Sequence, residues 1–209
     1  MQHDPYQFEK RLWDEGFTRV MGLDEVGRGC IAGPVVAAGV VLGRSFYIPG
    51  IADSKTLSSA QRTVIAGKIK QNSIWWTVAS CDVYEIASHN ILRASLRAMG
   101  KCVEKTEPKP DFLLIDGNHG IPASLIPGKT IVKGDSLSAS IGAASIIAKV
   151  FRDEYMSALH EQYPEFGWNK NAGYPTVHHY TALARYGYTP HHRTTFSLRT
   201  NKRYNDHQP

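Results

Sequence analysis

Two β-strands joined by a glycine-rich turn are predicted in residues 20–42, which read VMGLDEVGRGCIAGPVVAAGVVL. Residues 20–23 and 35–42 are short apolar runs, rich in valine and bounded by glycines, as buried strands are. The first strand leads directly into Asp24 and Glu25. The fold and a candidate site are therefore expected to start from the same segment.

Strands alternate with helices along the rest of the chain. Further strands are predicted at residues 74–79, 111–116 and 130–132, and helices at residues 4–16, 57–71, 83–105 and 176–186. The clearest helix starts near Leu137, and its apolar face should continue through Phe151 and Tyr155 to Leu159. This order predicts an α/β fold with a helical C-terminal part.

The composition is that of a globular protein. The chain has 209 residues, of which 42% are hydrophobic and 21% charged, and these values argue against disorder and against a disulfide-stapled miniprotein. We expect one domain over residues 1–209, with residues from about 160 to 209 as a helical and basic appendage. The formal charge of +5 favours a polyanionic partner, and the basic tail that starts at His191 is either a nucleic-acid contact or a solvated surface.

The cysteines and the N-terminal sequence indicate the cellular compartment in which the protein is expected. Cys30, Cys81 and Cys102 form no C-x-x-C pair and are odd in number, so we expect buried free thiols in a reducing compartment. The N-terminus resembles no signal peptide, and no apolar run approaches the roughly 18 residues of a membrane span. We expect a cytoplasmic monomer without a membrane partner.

Acidic residues stand where predicted strands end or a helix begins. Asp24 and Glu25 follow the first strand, Asp116 ends the run DFLLID, and Asp135 precedes the long helix. A carboxylate in apolar surroundings is usually paired or bound to a metal ion, and sites assemble at strand ends in α/β sheets. Four converging carboxylates would repel one another without a cation, and oxygen ligands favour Mg²⁺ or Mn²⁺. Two such ions would support phosphodiester hydrolysis.

Three of the four acids also have a purely structural explanation. Asp135 could cap the helix that follows it. Asp116 could belong to a turn with Gly117. Glu25 could form an ion pair with Arg28. Singly these explanations suffice, but together they do not explain why every apolar strand end carries an acid.

The loop sequence GRGCIA, residues 27–32, also fits the fingerprint of dinucleotide-binding proteins, with Asp53 placed to bind a ribose. That interpretation needs a helix after the loop, but Gly33 and Pro34 would interrupt it and a strand is predicted to follow. The same loop could instead let bare backbone approach a nucleic acid, with Arg28 binding a phosphate. A non-catalytic nucleic-acid-binding module is the remaining alternative, and it would need the basic surface without the acids.

Nine histidines raise the question of a zinc site. His178 and His179 are adjacent, as are His191 and His192, and adjacent residues do not share a helix face. We therefore expect surface histidines, or a phosphate contact near His192.

Further motifs follow in the same order as in a known family. They are DSK at residues 53–55, LIDG at 114–117, KGD at 133–135 with SIGAASIIAKVFRD after it, GYPT at 173–176, and HR at 192–193 with Phe196 nearby. Together with residues 22–42 they resemble the ribonuclease HII family, the type 2 ribonucleases H. Val26 departs from the family pattern, in which alanine is more usual, and Val177 and His178 stand where a lysine and an acidic residue are common.

The resemblance implies a ribonuclease H-like fold, with a mixed sheet of about five strands flanked by helices. It implies cleavage of RNA in RNA/DNA hybrids, and on the 5′ side of single ribonucleotides in duplex DNA. It also implies that the catalytic and metal-binding acids are Asp24, Glu25, Asp116 and Asp135. No sliding-clamp-binding peptide is evident, so no such partner is expected.

Substrate-binding residues are implied in the same way. By resemblance, the 2′-hydroxyl of the ribose and the adjoining backbone are recognised by Gly27, Arg28 and Gly29. Lys55 is similar to a phosphate-binding lysine, and Tyr174 to a residue that senses the RNA–DNA junction. Without the resemblance, Tyr174 would be interpreted as a buried aromatic residue with a bonded hydroxyl.

Overall fold

The structure is a computed structural model, and it describes residues 4–48, 51 and 57–196. Among these residues, one mixed sheet is formed by β1 (Val20–Val26), β2 (Val35–Val41), β3 (Trp75–Cys81), β4 (Phe112–Asp116) and β5 (Gly128–Ile131). The strand order is β3-β2-β1-β4-β5. β2 is antiparallel to β1 and β3, whereas β1, β4 and β5 are parallel. The predicted α/β fold and its mixed five-stranded sheet are confirmed.

Helices cover the sheet within the described ranges. They are α1 (Gln7–Asp14), α2 (Ser59–Asn72), α3 (Val83–His89), α4 (Ile91–Lys105), α5 (Gly134–Leu137), α6 (Ala139–Gln162), α7 (Trp168–Asn171) and α8 (Val177–Tyr186). A 3₁₀ turn at Pro164–Phe166 precedes α7. None of the described helices is long and apolar enough to cross a lipid bilayer.

The two faces of the sheet bury different residues because side chains alternate along a strand. In β2, Val36 and Val40 pack in a cluster with α2 and α6, whereas Val35 and Val41 pack in a cluster with α4. α6 lies directly on β1, where a Cβ added to Gly22 would come within 2.5 Å of the Ser140 carbonyl oxygen. The small residues early in α6 permit this close packing.

The prediction of one continuous helix over residues 83–105 is wrong. Asn90, with a φ of +63°, separates α3 from α4, and its side chain accepts the N–H of Arg93 at the start of α4. Asparagine tolerates the left-handed region and caps helices, so it can end one helix and start the next. Within α4, Leu96 and Met99 are buried, as the apolar face of a helix.

The start of the long helix differs from the prediction as well. α6 begins after Ser138, whose hydroxyl accepts the N–H of Ile141, and Asp135 lies in the separate short helix α5. The alternative in which Asp135 caps the long helix is therefore wrong. Ser138 performs that role.

The predicted apolar face of α6 is wrong at Phe151 and Tyr155 but correct at Leu159, which is buried. Phe151 and Tyr155 are exposed, while Arg152 and Met156 are buried in their place. A helix that packs first on a sheet and then on another group of helices changes its buried face along its length.

The extent of the domain, residues 1–209, stays a prediction.

Candidate active site

Asp24 and Asp116 lie side by side at the carboxyl ends of two parallel strands. Leu23 of β1 is paired with Ile115 of β4, so the next residue in each strand is one of these acids. Glu25 follows Asp24 in β1, and Asp135 lies in α5, shortly after the neighbouring strand β5. The structure thus brings the four predicted acids to one edge of the sheet, because parallel strands end at the same edge.

Asp24 is the acid whose surroundings most oppose a charge. It is 6% exposed, its Oδ1 accepts the Glu25 N–H at 2.7 Å, and it is hydrogen-bonded to the side chain of Ser145 in α6. Burial raises the pKa of Asp24 well above its usual range, and the negative charges of Asp116 and Glu25 raise it further. The bond to Ser145 opposes this shift only in part.

Glu25 and Asp116 are affected in the same direction. Burial raises the pKa of Glu25, although its ion pair with Arg28, at 3.0 Å, opposes the rise. Burial also raises the pKa of Asp116, opposed by the Gly134 N–H that donates to its Oδ1 at 2.7 Å. The charge of Asp135 raises the pKa of Asp116 further. The four acids therefore form one electrostatically linked group.

This donor set suits a hard divalent cation. All four side chains are carboxylates, and burial with mutual repulsion disfavours the charged form of at least three of them. A bound cation would remove that repulsion. Within residues 4–48, 51 and 57–196, no three Asp, Glu, His or Cys side chains are arranged so that they could hold a metal ion as they stand.

Two of the structural alternatives for the acids are present in the molecule. The Glu25–Arg28 ion pair exists, and Asp116, which is followed by a bend at Gly117, accepts the backbone N–H of Gly134. Neither interaction removes the charge of its acid from the group. They orient the carboxylates at the sheet edge.

The loop of residues 27–34 leads from β1 into the antiparallel strand β2, with no helix between them. A dinucleotide-binding site needs a helix at this point and a parallel strand after it, so that alternative is wrong. Gly27 is buried, whereas Arg28 and Gly29 are exposed. The loop therefore presents these two residues beside the acids.

Tyr174 lies next to this loop. A Cβ added to Gly29 would be 3.7 Å from its Cε1, and the tyrosine is 41% exposed. The alternative of a buried aromatic residue is therefore wrong. Lys55, the fifth substrate-binding residue expected from the sequence, and Asp53 lie outside the described residues.

A buried histidine pair was missed by the sequence interpretation, which expected surface histidines. His179 and His192 are 0% and 3% exposed. The Trp168 Nε1–H donates to His179 Nε2 at 3.1 Å, so His179 Nδ1 must carry the proton that bonds the Tyr174 carbonyl at 2.9 Å. The Thr189 N–H likewise donates to His192 Nδ1. His192 Nε2 therefore carries a proton and lies 3.1 Å from His179 Nε2.

Both histidines are neutral because of this environment. Burial lowers the pKa of His179, and burial together with the neighbouring His179 lowers the pKa of His192 to about 4. Adjacent histidines in the sequence gave no sign of the pairing, since His179 and His192 come from different segments. Their role here is to support the turn that carries Tyr174.

All three cysteines are buried free thiols, as expected.

Comparisons with known proteins agree on one family. The family model described as Ribonuclease HII matches residues 21–199. A ribonuclease HII from Salinibacter ruber is 48% identical over 193 residues, which cover 91% of this chain and 96% of that protein.

Solved structures show the same fold. The ribonuclease H2 from Pyrococcus horikoshii has a TM-score of 0.75 and 25% identity, covering 87% of this chain and 95% of that one. The Bst ribonuclease HIII in complex with Mn²⁺ has a TM-score of 0.62 and 21% identity, covering 81% of this chain and 70% of that one. The ribonuclease H-like fold expected from the sequence is confirmed.

Proposed function

The chain belongs to the ribonuclease HII family, and on that premise we propose that it cuts duplex DNA 5′ of single embedded ribonucleotides, using two divalent cations held by its four acids. Family membership makes it a ribonuclease H, a metal-dependent endonuclease that hydrolyses RNA paired with DNA. The proposal adds the preferred substrate, the number of ions and the residues that act. It gives the protein a role in removing ribonucleotides from DNA.

The clustering of the acids is the observation that carries the proposal. Asp24, Glu25 and Asp116 influence one another electrostatically, and Asp135 acts on Asp116. These four carboxylates would hold Mg²⁺ or Mn²⁺, and Asp24, at the centre, is our choice for the ligand shared by both ions. The bound cations would supply Lewis-acid stabilisation of the attacking and leaving oxygens. The Mn²⁺ complex of Bst ribonuclease HIII supports a divalent cation in this fold.

The reaction adds one water across a phosphodiester bond. The water oxygen attacks the phosphorus on the 5′ side of the ribonucleotide, and the bond to the O3′ of the preceding nucleotide breaks. That O3′ takes up a proton and becomes a hydroxyl, so the products carry a 3′-hydroxyl and a 5′-phosphate. We expect the scissile phosphate to be held beside Asp24 and Asp116.

Selection for ribose is assigned to the loop that contains Gly27, Arg28 and Gly29. Its exposed backbone can bond the 2′-hydroxyl without contacting the base, which favours cleavage independent of sequence. Tyr174 lies beside Gly29, and in the proposed complex it would pack on the next sugar and sense a deoxyribose there. Lys55 remains a proposed phosphate contact.

One incubation tests the proposal. The purified protein is mixed with an end-labelled duplex that contains one ribonucleotide, with Mg²⁺ or Mn²⁺ and with or without EDTA, and an all-DNA duplex of the same sequence serves as the substrate control. We expect one cut, 5′ of the ribonucleotide, only with metal and only in the first duplex. Binding of this duplex without any cut would favour the non-catalytic module.

A matched pair of variants tests the acids. Asp24→Asn should abolish cleavage while leaving duplex binding largely intact, because the amide is a poorer ligand for a hard cation. Asp82→Asn makes the same chemical change at the N-cap of α3, where asparagine caps as well as aspartate, and should keep full activity. Full turnover by Asp24→Asn would refute the assignment.

A further inference from the structure

Two arginines are buried beneath the loop of residues 27–34. Arg152 of α6 is 0% exposed, and Arg193 is 2% exposed. Within the part of the chain that the structure describes, neither forms an ion pair with an acidic residue. Burying a cation is costly unless its N–H groups find hydrogen-bond acceptors. The acceptors of Arg152 and Arg193 therefore identify the segments that these arginines hold in place.

Arg152 connects two separate segments. Its Nε and Nη2 donate to the carbonyls of Pro34 and Ala32 in the loop, at 3.0 and 3.1 Å. Its Nη1 donates to the carbonyl of Ala172 at 2.7 Å, two residues before Tyr174. One guanidinium therefore joins the loop to the turn that carries the tyrosine.

Arg193 binds the same loop at other points. Its Nε donates to the Gly33 carbonyl at 2.9 Å and its Nη1 to the Arg28 carbonyl at 3.1 Å. Its backbone N–H donates to the Ile31 carbonyl at 2.8 Å. Burial lowers the pKa of Arg193 to about 10, so the guanidinium stays charged at neutral pH.

These bonds occupy carbonyls of the loop, and the N–H groups of Ile31 and Gly33 bond to the carbonyls of Gly173 and His191. The backbone N–H groups of Arg28 and Gly29 have no bonding partner within the described ranges. Adjacent unbonded N–H groups form a concave site for an anion or a hydroxyl oxygen. The loop lies so close to the cation that only glycine fits at position 27, because an added Cβ would be 2.8 Å from the Arg152 Cζ.

We infer that Arg152 and Arg193 are positioning residues that make the ribose-binding loop and the Tyr174 turn one rigid unit, so that ribose selection and junction sensing are energetically coupled. This inference rests on the proposed function, because it concerns the same loop and the same tyrosine. Neither arginine touches substrate, and both act through backbone carbonyls. A shift of the guanidinium of Arg152 would displace both recognition elements together.

The test is a double-mutant cycle on two substrates. The values of kcat and KM are measured for Arg152→Lys, Tyr174→Ala and the double variant, on the duplex with one ribonucleotide and on a continuous RNA/DNA hybrid. Because a misplacement of about 1 Å can cost about a hundredfold, we expect kcat/KM of Arg152→Lys to fall about a hundredfold on the first substrate. On the hybrid, which needs no junction to be sensed, the loss should be several-fold smaller.

Coupling should appear as non-additivity. Once Arg152 no longer holds the turn, removing Tyr174 should cost much less than it costs in the wild-type background. A lysine that merely weakens folding would instead lower kcat equally on both substrates, leave KM unchanged and give an additive cycle. That combination would overturn the inference.

Control and substitute variants keep the test decisive. Arg44→Met also removes an arginine that donates to a carbonyl, that of Trp13, but far from the loop, and it should leave the substrate ratio unchanged. If Arg152→Lys does not fold, Arg193→Lys and Gly173→Ala replace it, since a Cβ on Gly173 would push on the Ala32 carbonyl at 2.6 Å. Wild-type protein that cuts only the hybrid would refute the proposed function, whereas normal wild-type selectivity with an additive cycle refutes the coupling alone.

Discussion

Replacing Gly22 with alanine is expected to separate α6 from β1 and to impair the site without altering any of its acids. The added Cβ would overlap the Ser140 carbonyl carbon and the Ile141 amide nitrogen, and would come within 2.5 Å of the Ser140 carbonyl oxygen. These are backbone atoms, so no side-chain rotation relieves the overlap. Ordinary contacts begin near 3.4 Å, and the two backbones must therefore move apart by about 1 Å.

The displacement has a cost in stability and in rate. Overpacking costs about 1–3 kcal/mol, and a clash between two backbones belongs at the upper end, about 3 kcal/mol. For a chain of this size the melting temperature should fall by about 6–12 °C. α6 also carries Ser145, which is bonded to Asp24, so moving the helix should lower kcat about a hundredfold.

Thermal unfolding by circular dichroism and cleavage of the single-ribonucleotide duplex at 25 °C measure the two effects. Gly67→Ala is the matched control, because a Cβ at Gly67, inside α2, meets nothing within 4 Å. Alanine is the better helix former there, so this variant should gain about 0.5–1 kcal/mol and keep full activity. A Gly22→Ala protein with wild-type melting temperature and kcat would refute the reasoning.

Three further predictions concern other parts of the molecule. Tyr174→Ala should lower cleavage at a lone ribonucleotide about tenfold but affect cleavage within a long RNA stretch little, because stacking on a sugar or base is worth about 1–3 kcal/mol; equal losses would contradict junction sensing. Glu9→Gln should lower the free energy of unfolding in urea by about 1–3 kcal/mol, since the buried Glu9 Oε1 accepts bonds from Ser138 and Ser140 at the start of α6. Because the pKa of His192 is lowered from 6.5 to about 4, the unfolded chain binds more protons in that window. His192 should therefore reduce the free energy of unfolding as the pH falls from about 6.5 to 4, and His192→Asn should show a shallower decline; identical slopes would exclude it as the cause.

Much of the fold could be predicted because its signals are local. Val35–Val41 is a run of valines and small residues between glycines, and it forms a strand that is buried along its whole length. The helix Val177–Tyr186 starts after the Thr176 cap and ends before Gly187, as its sequence indicates. Asn90 was missed because one asparagine inside a periodic pattern does not reveal whether it will adopt the left-handed conformation.

The candidate acids could be nominated from sequence for a similar reason. Asp24 and Asp116 each follow a short apolar run, and they become neighbours because β1 and β4 run parallel and are paired up to Leu23 and Ile115. Asp135 was harder to interpret, because an aspartate just before a predicted helix is also the residue type expected at the helix N-cap. Only the structure shows that Ser138 caps α6 and that Asp135 lies in a separate turn of helix near Asp116.

The sequence by itself determined the class of fold, the order of the strands along the chain and the acids of the candidate site, because each depends on periodicity and residue type within a short segment. The tertiary structure decided which polar residues are buried. Arginine and histidine are residue types usually found at the surface. Four of them are nevertheless buried at the loop and the turn: Arg152, Arg193, His179 and His192. Their partners are backbone carbonyls and rings from distant segments, such as Pro34, 118 residues before Arg152. These contacts form only once the chain has folded, so no local sequence pattern could predict them.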